Sequence, residues 1–281
     1  MAVILSSREA LVEALFTSWE QGKKIGFVPT MGALHQGHGS LIEQARKENE
    51  VLVLSIYVNP RQFNDSSDFE HYPRTIDKDL KLAREQGVDF VYLPVYEELF
   101  TAENTLPKVD LMGLDQVMEG VSRPGHFRGV MEVVYALFMH VKPTNAYFGQ
   151  KDFQQLAIIK SMVRQLKLSV GITACPTLRA PDGLALSSRN LRLSPDQRQE
   201  ALVLYRALNE MKKAWKRKSE AILSAEAKAL INQSNLSLDY LEIVDANTLG
   251  PISATTSEAV VCVAAFCGDI RLIDNMLLNA D

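Results

Sequence analysis

Val51-Leu52-Val53-Leu54-Ser55-Ile56-Tyr57-Val58 is eight residues of almost unbroken apolar sequence, half of it β-branched. A strand with one wet face alternates apolar and polar residues. A run without alternation belongs to a strand covered on both faces, as in a parallel sheet flanked by helices. The flanking sequence agrees. Upstream, Ile25-Gly26-Phe27-Val28 precedes a turn and a helix expected from about Ser40. Downstream, a helix over 77–86 leads through Gly87 to Asp89-Phe90-Val91-Tyr92-Leu93-Pro94. A helix over 130–141, a strand at Ala146-Tyr147-Phe148, a helix over 152–167 and a strand over 170–174 follow. This alternation predicts an α/β fold with a mostly parallel, doubly wound sheet.

The opening residues, Met1-Ala2-Val3-Ile4-Leu5-Ser6, lack a basic start and are followed by Arg8 and Glu9. They read as a short first strand and not as a secretory signal. Beyond Thr177 the texture changes: helices over 195–218 and 220–233, then strands over 238–244, 259–266 and 270–273. Helices followed by hairpin-ready strands predict a smaller α+β domain, so the expected division is 1–177 and 178–281.

A chain of 281 residues is long enough to bury a core without disulfide staples. Its 47% hydrophobic and 23% charged residues are the balance of an ordinary globular protein. Thirty Lys+Arg against 34 Asp+Glu give a net charge of −4, which argues against broad nucleic-acid binding while leaving room for a local anion pocket. No apolar run approaches the roughly 18 residues of a spanning helix, so no membrane role is expected. Cys175, Cys262 and Cys267 cannot all pair within one chain and show no metal-ligand spacing; a reducing, cytoplasmic setting is the economical reading.

Three segments are suited to chemistry on phosphates. Pro29-Thr30-Met31-Gly32-Ala33-Leu34-His35-Gln36-Gly37-His38 lies where the first core strand ends and a helix begins, the edge at which open parallel sheets bind ligands and helix N-termini favour anions. His35 and His38, three apart, can face the same way and donate to phosphate oxygens as charge builds. Gly149-Gln150-Lys151-Asp152 repeats the strand-to-helix pattern, with Lys151 a point charge and Asp152 a plausible helix cap. Gln154 and Gln155 follow with amides suited to a polar substrate. Asp182-Gly183-Leu184-Ala185-Leu186-Ser187-Ser188-Arg189-Asn190 offers two hydroxyls and a guanidinium. Each segment also has a plain structural reading, as a glycine-rich turn, a solvated lysine or a capped turn. Gln62, at another strand exit in Val58-Asn59-Pro60-Arg61-Gln62-Phe63, is a candidate for a carboxylate or hydroxyl. Arg123-Pro124-Gly125-His126-Phe127-Arg128-Gly129 reads equally as a cationic lid or a helix-entry loop. There is no P-loop, no G-x-G-x-x-G after the first strand and no G-x-S-x-G elbow.

Taken in order, Pro29–His38, Ser55–Phe63, Tyr72-Pro73-Arg74-Thr75, Met118–Val130, Phe148–Leu156, Asp182–Asn190 and Arg271-Leu272-Ile273-Asp274-Asn275 resemble the pantoate–β-alanine ligase family, within the wider HxGH nucleotidyltransferases. The resemblance covers nearly the whole chain. It implies a Rossmann-like doubly wound domain that binds nucleotide and pantoate, and a smaller domain that closes over ATP. It also implies ligation in two steps: pantoate attacks the α-phosphorus of ATP, then β-alanine attacks the pantoyl adenylate. Mg²⁺ and a cytoplasmic homodimer belong to the same implication. By position, it assigns Met31, Gly32, Ala33, Leu34, His35, Gln36, Gly37, His38, Gly149, Gln150, Lys151, Asp152, Leu178, Leu186, Ser187, Ser188 and Arg189 to ATP. Of these His38, His35, Lys151, Ser187, Ser188 and Arg189 carry the catalysis, with His38 the family's proton donor. Gln62 would bind pantoate and β-alanine, and Gln155 pantoate. The metal ligands stay unassigned; Asp77 and Asp79 are carboxylates that also fit a plain helix surface.

The chain departs from the usual family residues at Gly39, Glu132, Ala136, Gln150, Arg192 and Ile270. Gly39 lowers helix propensity by up to about 1 kcal/mol. Glu132, where the family commonly has threonine, would repel anionic substrates if it faced them and would be harmless if it faced away.

Overall fold

The computed structural model describes residues 2–278, so Met1 of the expected first strand lies outside the described residues. In order the chain forms β1 (Val3–Leu5), α1 (Arg8–Glu20), β2 (Ile25–Thr30), α2 (Gln36–Glu48), β3 (Val51–Ile56), α3 (Ser66–Glu70), α4 (Ile76–Glu85), β4 (Phe90–Tyr92) and α5 (Tyr96–Leu99). It continues with α6 (Glu119–Ser122), α7 (His126–Val141), β5 (Asn145–Gly149), α8 (Phe153–Gln165), β6 (Gly171–Cys175), α9 (Pro195–Ala214), α10 (Glu220–Asn232), β7 (Ser237–Asp245), β8 (Ala259–Cys267) and β9 (Ile270–Leu277). These fall into two compact units. The first holds the residues up to Met112 with Arg123–Gln150 and Gln155–Pro176; the second holds Gly113–Ser122, Lys151–Gln154 and the chain from Thr177.

The first unit is built on a six-stranded sheet of order β1-β4-β3-β2-β5-β6, parallel throughout. The apolar run supplies β3, whose first five residues are buried, in register from Ile25↔Val51 to Thr30↔Ile56 with β2. Strands are added to one side of β2 as far as β4 and to its other side as β5 and β6. The order therefore reverses between β2 and β5, and their carboxyl ends flank the crevice in which such sheets bind ligands.

Several helices depart from expectation: α7 begins at His126, four residues before the expected start, and α9 ends at Ala214, four before the expected end, while α1 and α2 differ for reasons that are local. The sequence reading left α1 out, although Ser7 caps it by accepting from the Ala10 N–H at 3.1 Å and Leu11, Leu15 and Ser18 bury one face at helical spacing. Helix α2 starts four residues before Ser40, because a histidine takes the place usually held by Ser, Thr, Asp or Asn. The other end of α2 is pinned to the sheet. Asn49 donates to the Ala45 carbonyl and the Tyr147 hydroxyl, both at 2.7 Å, and Tyr147 donates to Glu48 at 2.7 Å. A Cβ on Gly26 would lie 2.6 Å from the Asn49 amide nitrogen, so this anchor requires glycine in β2.

In the second unit β7, β8 and β9 form an antiparallel sheet, and its core includes Leu204, Leu208, Ile231, Val261 and Val263. This is the expected α+β arrangement, with β9 running four residues past Ile273. The segment around α6 joins the unit through charge: Arg271 makes two bonds to Glu119, at 2.6 and 2.8 Å, and two to Asp239 Oδ2, at 2.8 and 3.1 Å. Tyr240 donates to Glu119 at 2.9 Å; burial, reinforced by the Glu119 charge, pushes its phenol well above the ordinary value.

No helix of the described residues is long and apolar enough to cross a membrane. All three cysteines are free and buried. Burial, with a smaller contribution from Glu48, pushes the Cys175 thiol up to about 11, and burial raises Cys262 and Cys267 as well. None is a nucleophile at neutral pH.

His140 in α7 makes the first unit sensitive to acid. Its Nε2 accepts from the Asn104 amide at 2.8 Å and its Nδ1 lies 2.9 Å from the Tyr92 hydroxyl, so the ring is neutral with the proton on Nδ1. Burial, helped by the Arg8 charge, lowers its pKa to about 4. An unfolded histidine titrates near 6.5. Between those values the unfolded chain takes up a proton that the fold refuses. The contribution of His140 is therefore complete above about pH 6.5 and is lost as pH falls toward 4, about 3 kcal/mol in all. Denaturant unfolding from pH 7 to 4 should show this loss, and His140→Gln should flatten it.

Candidate active site

The loop leaving β2 is held from its first residue. The Thr30 hydroxyl donates to the Ser55 carbonyl at 2.7 Å and accepts from the Gly32 N–H at 3.1 Å. Gly32 and Ala33 then take left-handed backbone, φ +78° and +49°, which turns the chain into α2. His35 is the N-cap. Its Nδ1 accepts from the Gly37 N–H at 3.1 Å, and the His38 Nδ1 accepts from the His35 N–H at 3.3 Å, closing a reciprocal capping box built from two imidazoles. An acceptor Nδ1 leaves the proton of a neutral ring on Nε2. Both half-buried rings, with centroids 4.2 Å apart, thus have Nε2–H as their remaining donor at the amino end of a helix, where the backbone already favours anions.

Gln62 stands in a short 3-10 turn, Pro60–Gln62, after β3. The orientation of its amide follows from its neighbours. Asn59 Oδ1 accepts from the Arg61 N–H at 3.1 Å, so Asn59 Nδ2 faces the Gly129 carbonyl at 3.0 Å and the Gln62 Oε1 at 3.1 Å. The Gln62 NH₂ is left pointing at the Met31 sulfur, 3.1 Å away, a weak acceptor that a carboxylate or hydroxyl readily outcompetes. The structure thus brings Met31 and Gln62 together.

The Arg123–Gly129 segment resolves as a helix entry and not a lid. Gly125 caps α7 at φ +82°. Arg123 donates to the Gln62 carbonyl at 3.2 Å and the buried His126 Nδ1 does so at 2.7 Å. Gly129 lies so close to the Arg61 carbonyl that a Cβ there has no room. The backbone of Gln62 is therefore clamped on two sides.

Glu132 is neutralised. Its carboxylate pairs with Arg61 at 2.9 Å and Arg128 at 3.1 Å, and the Arg61 guanidinium lies 3.9 Å from the Phe100 ring centroid. Gly39 is buried, yet a Cβ there would make an ordinary 3.8 Å contact. Ala136 is fully buried in α7. Gln150 opens the 3-10 turn before α8, Arg192 ends another 3-10 turn and Ile270 begins β9; nothing in the structure explains why these three differ from the family pattern.

The remaining candidates divide between the units. Gly149 ends β5 and Gln150 opens the following 3-10 turn, both in the first unit, whereas Lys151 and Asp152 belong to the second. The Lys151 carbonyl accepts from Asn275 at 2.8 Å, and its ammonium forms no ion pair among the described residues. Asp152 closes a 3-10 turn directly before α8. Gln154 is a correction to the expected polar-substrate role. Its amide is consumed by backbone, accepting from the Glu119 N–H at 3.0 Å and donating to the Leu114 and Val117 carbonyls at 2.7 and 2.9 Å. Gln155, half-buried in the first unit, has a side chain engaged by no described residue.

In the second unit Ser187 caps the 3-10 turn Ser188–Arg192, accepting from the Arg189 N–H at 3.3 Å; Ser188 is buried and Leu178 exposed. The preceding loop is braced by Arg179, which donates to both Asp274 oxygens at 2.6 and 2.9 Å. The Leu186 N–H donates to the Leu178 carbonyl at 3.0 Å.

Asp77 is exposed. Asp79 is 1% exposed and accepts from the N–H groups of Ala33 and Leu34 at 2.9 and 2.7 Å. Sequence reasoning missed this link, because nothing local ties residue 79 to residue 33. Among the described residues no group of three or more His, Cys, Asp or Glu side chains gathers to hold a metal.

The sequence matches the family model described as pantoate-beta-alanine ligase over residues 4–277. A pantothenate synthetase of Bacteroides fragilis is 49% identical over 260 residues, covering 91% of this chain and 92% of that one. One from Thermotoga petrophila is 47% identical over 263 residues, covering 92% and 94%. Among solved structures, pantothenate synthetase from Thermus thermophilus superposes with a TM-score of 0.91 at 41% identity, covering 98% of this chain and 99% of that one. The pantoate-beta-alanine ligase of Francisella tularensis, complexed with beta-gamma ATP and beta-alanine, gives 0.81 at 33% identity, covering 100% and 99%. The chain belongs to the pantoate–β-alanine ligase family.

Proposed function

We propose that the chain condenses (R)-pantoate with β-alanine at the expense of ATP, through a pantoyl adenylate, releasing pyrophosphate and AMP in pantothenate biosynthesis. The observation that carries the reading is the imidazole capping box at the β2–α2 turn, with Gln62 clamped beside Met31 at the next strand exit. Attack on the α-phosphorus needs alignment and stabilisation of the departing pyrophosphate more than it needs a protein nucleophile. His35 and His38 supply Nε2–H donors to the phosphate oxygens. Because each Nδ1 is held as an acceptor, His38, the family's proton donor, presents Nε2–H to the phosphate oxygens. Lys151, Ser187, Ser188 and Arg189 supply further donors to the triphosphate, and Met31–His38, Gly149–Asp152, Leu178 and Leu186 complete the ATP contacts. Gln62 and Gln155 hold pantoate through amides. An amide fixes the carboxylate without the ion pair that would blunt its nucleophilicity.

Mg²⁺ enters this reading as part of the Mg–ATP substrate. The ion keeps much of its water and binds mainly through phosphates. A cytoplasmic homodimer is part of the proposal, and sedimentation checks the dimer.

The test is release of pyrophosphate and AMP from Mg–ATP and D-pantoate, with and without β-alanine. Sustained AMP formation requiring both substrates supports the ligase. Pyrophosphate limited to about one equivalent per site without β-alanine supports a retained adenylate. Sustained pyrophosphate release that ignores the amine points to a nucleotidyltransferase, and ATP binding without either product overturns the enzymatic reading.

A further inference from the structure

The turn that carries the two histidines contains two successive left-handed residues, and the second, Ala33, is not glycine. L-residues avoid that conformation unless the surroundings impose it. Thr30 holds the Gly32 N–H, and the next two N–H groups of the turn are held by one side chain, Asp79 of α4. Its Oδ2 accepts from the Ala33 N–H at 2.9 Å, and its Oδ1 accepts from the Leu34 N–H at 2.7 Å and the Thr75 hydroxyl at 3.0 Å. No cation among the described residues pairs with it. A Cβ on Gly32 would lie 2.9 Å from Asp79 Oδ2 and 2.9 Å from the Ile56 side chain, so the carboxylate and the turn are packed to contact. The next residue after Leu34 is His35, the cap whose geometry sets both imidazoles.

A buried carboxylate close under a polyphosphate loop works against anion binding unless it is retained for geometry. We infer that Asp79 is a positioning residue for the nucleotide step: a latch that holds the Gly32-Ala33-Leu34 turn and thereby fixes the direction of the His35 and His38 Nε2–H donors. The inference deepens the ligase reading and rests on it for its kinetic consequences, though not for its structural one.

Asp79→Asn is the informative variant, since it keeps the volume but turns one acceptor into an NH₂ that faces a backbone N–H. With saturating Mg–ATP and pantoate, pyrophosphate formation should fall about thirtyfold, while the pantoate KM changes less than twofold. Adding Ala33→Gly to Asp79→Asn should recover several-fold of the loss, because glycine adopts the left-handed turn unaided; a general folding defect or a lost metal ligand gives no such rescue. Independently of activity, hydrogen exchange should show faster amide exchange across residues 31–38 in Asp79→Asn, with the β5–β6 segment unchanged. Unchanged exchange over 31–38 overturns the latch. So does a defect abolished by raising Mg²⁺, which would place the carboxylate on the metal, or a pantoate KM that rises as much as the rate falls. If the wild-type chain makes neither pyrophosphate nor AMP, the ligase reading fails, and the exchange measurement still decides whether Asp79 holds the turn.

Discussion

His38→Ala should lower pantoyl-adenylate formation by about a hundredfold, the usual consequence of removing one donor aimed at developing charge. Two roles are lost together, because His38 also accepts the His35 N–H in the capping box. They are separable by size. A cap contributes about 1 kcal/mol, a few degrees in the Tm of a chain this long. A hundredfold loss of rate with so small a shift therefore reports on chemistry. Pyrophosphate release in the presence of pantoate measures the first step. Supplying preformed pantoyl adenylate with β-alanine measures the second, which should stay within about threefold of the wild type. Equal adenylation rates for variant and wild type would remove His38 from the mechanism.

Gly129→Ala should do more harm than its single methyl suggests. The helix backbone of α7 at Gly129 lies against the Arg61 carbonyl and the Gln62 N–H, and Asn59 bonds the Gly129 carbonyl from the same turn. A methyl has nowhere to go unless α7 or the Pro60–Gln62 turn moves. Overpacking of this kind costs about 1–3 kcal/mol. Because Gln62 rides on the displaced turn, the pantoate KM should rise at least tenfold while the ATP KM changes little. Denaturant unfolding and initial rates check the two halves. A variant with wild-type stability and wild-type pantoate KM would show that the close approach does not set Gln62.

The fold was readable wherever the cause is local. The unalternating run of β3 announced a covered parallel strand, and the strands after Leu238 announced a hairpin sheet. Helix α1 escaped because its charged residues mask a narrow buried stripe, and the start of α2 was misplaced because histidine is an unusual cap. In the site, His35, His38, Lys151 and Gln62 stood out as residue types at strand exits. Gln154 looked equally suitable, and only its three bonds to the 114–119 backbone reveal that its amide is spent on structure. Asp79 and Glu119 show the complementary failure. Each owes its role to a partner 45 or more residues away, and no periodicity or motif encodes such a pairing. Glu132, an apparent liability in the sequence, is a mixed case: Arg128 pairs with it from one helical turn away, a spacing the sequence displays, whereas Arg61 reaches it across 71 residues.

The burial of Cys175, Cys262 and Cys267 has a practical corollary. With every native thiol shielded and held in its protonated, unreactive form, the protein presents a blank background to maleimides and nitroxide reagents. One cysteine placed on α1 at exposed Phe16 and another at exposed Ile222 of α10 would take up label selectively in the otherwise native chain. Each probe would then report on its own unit with no need for a cysteine-free background.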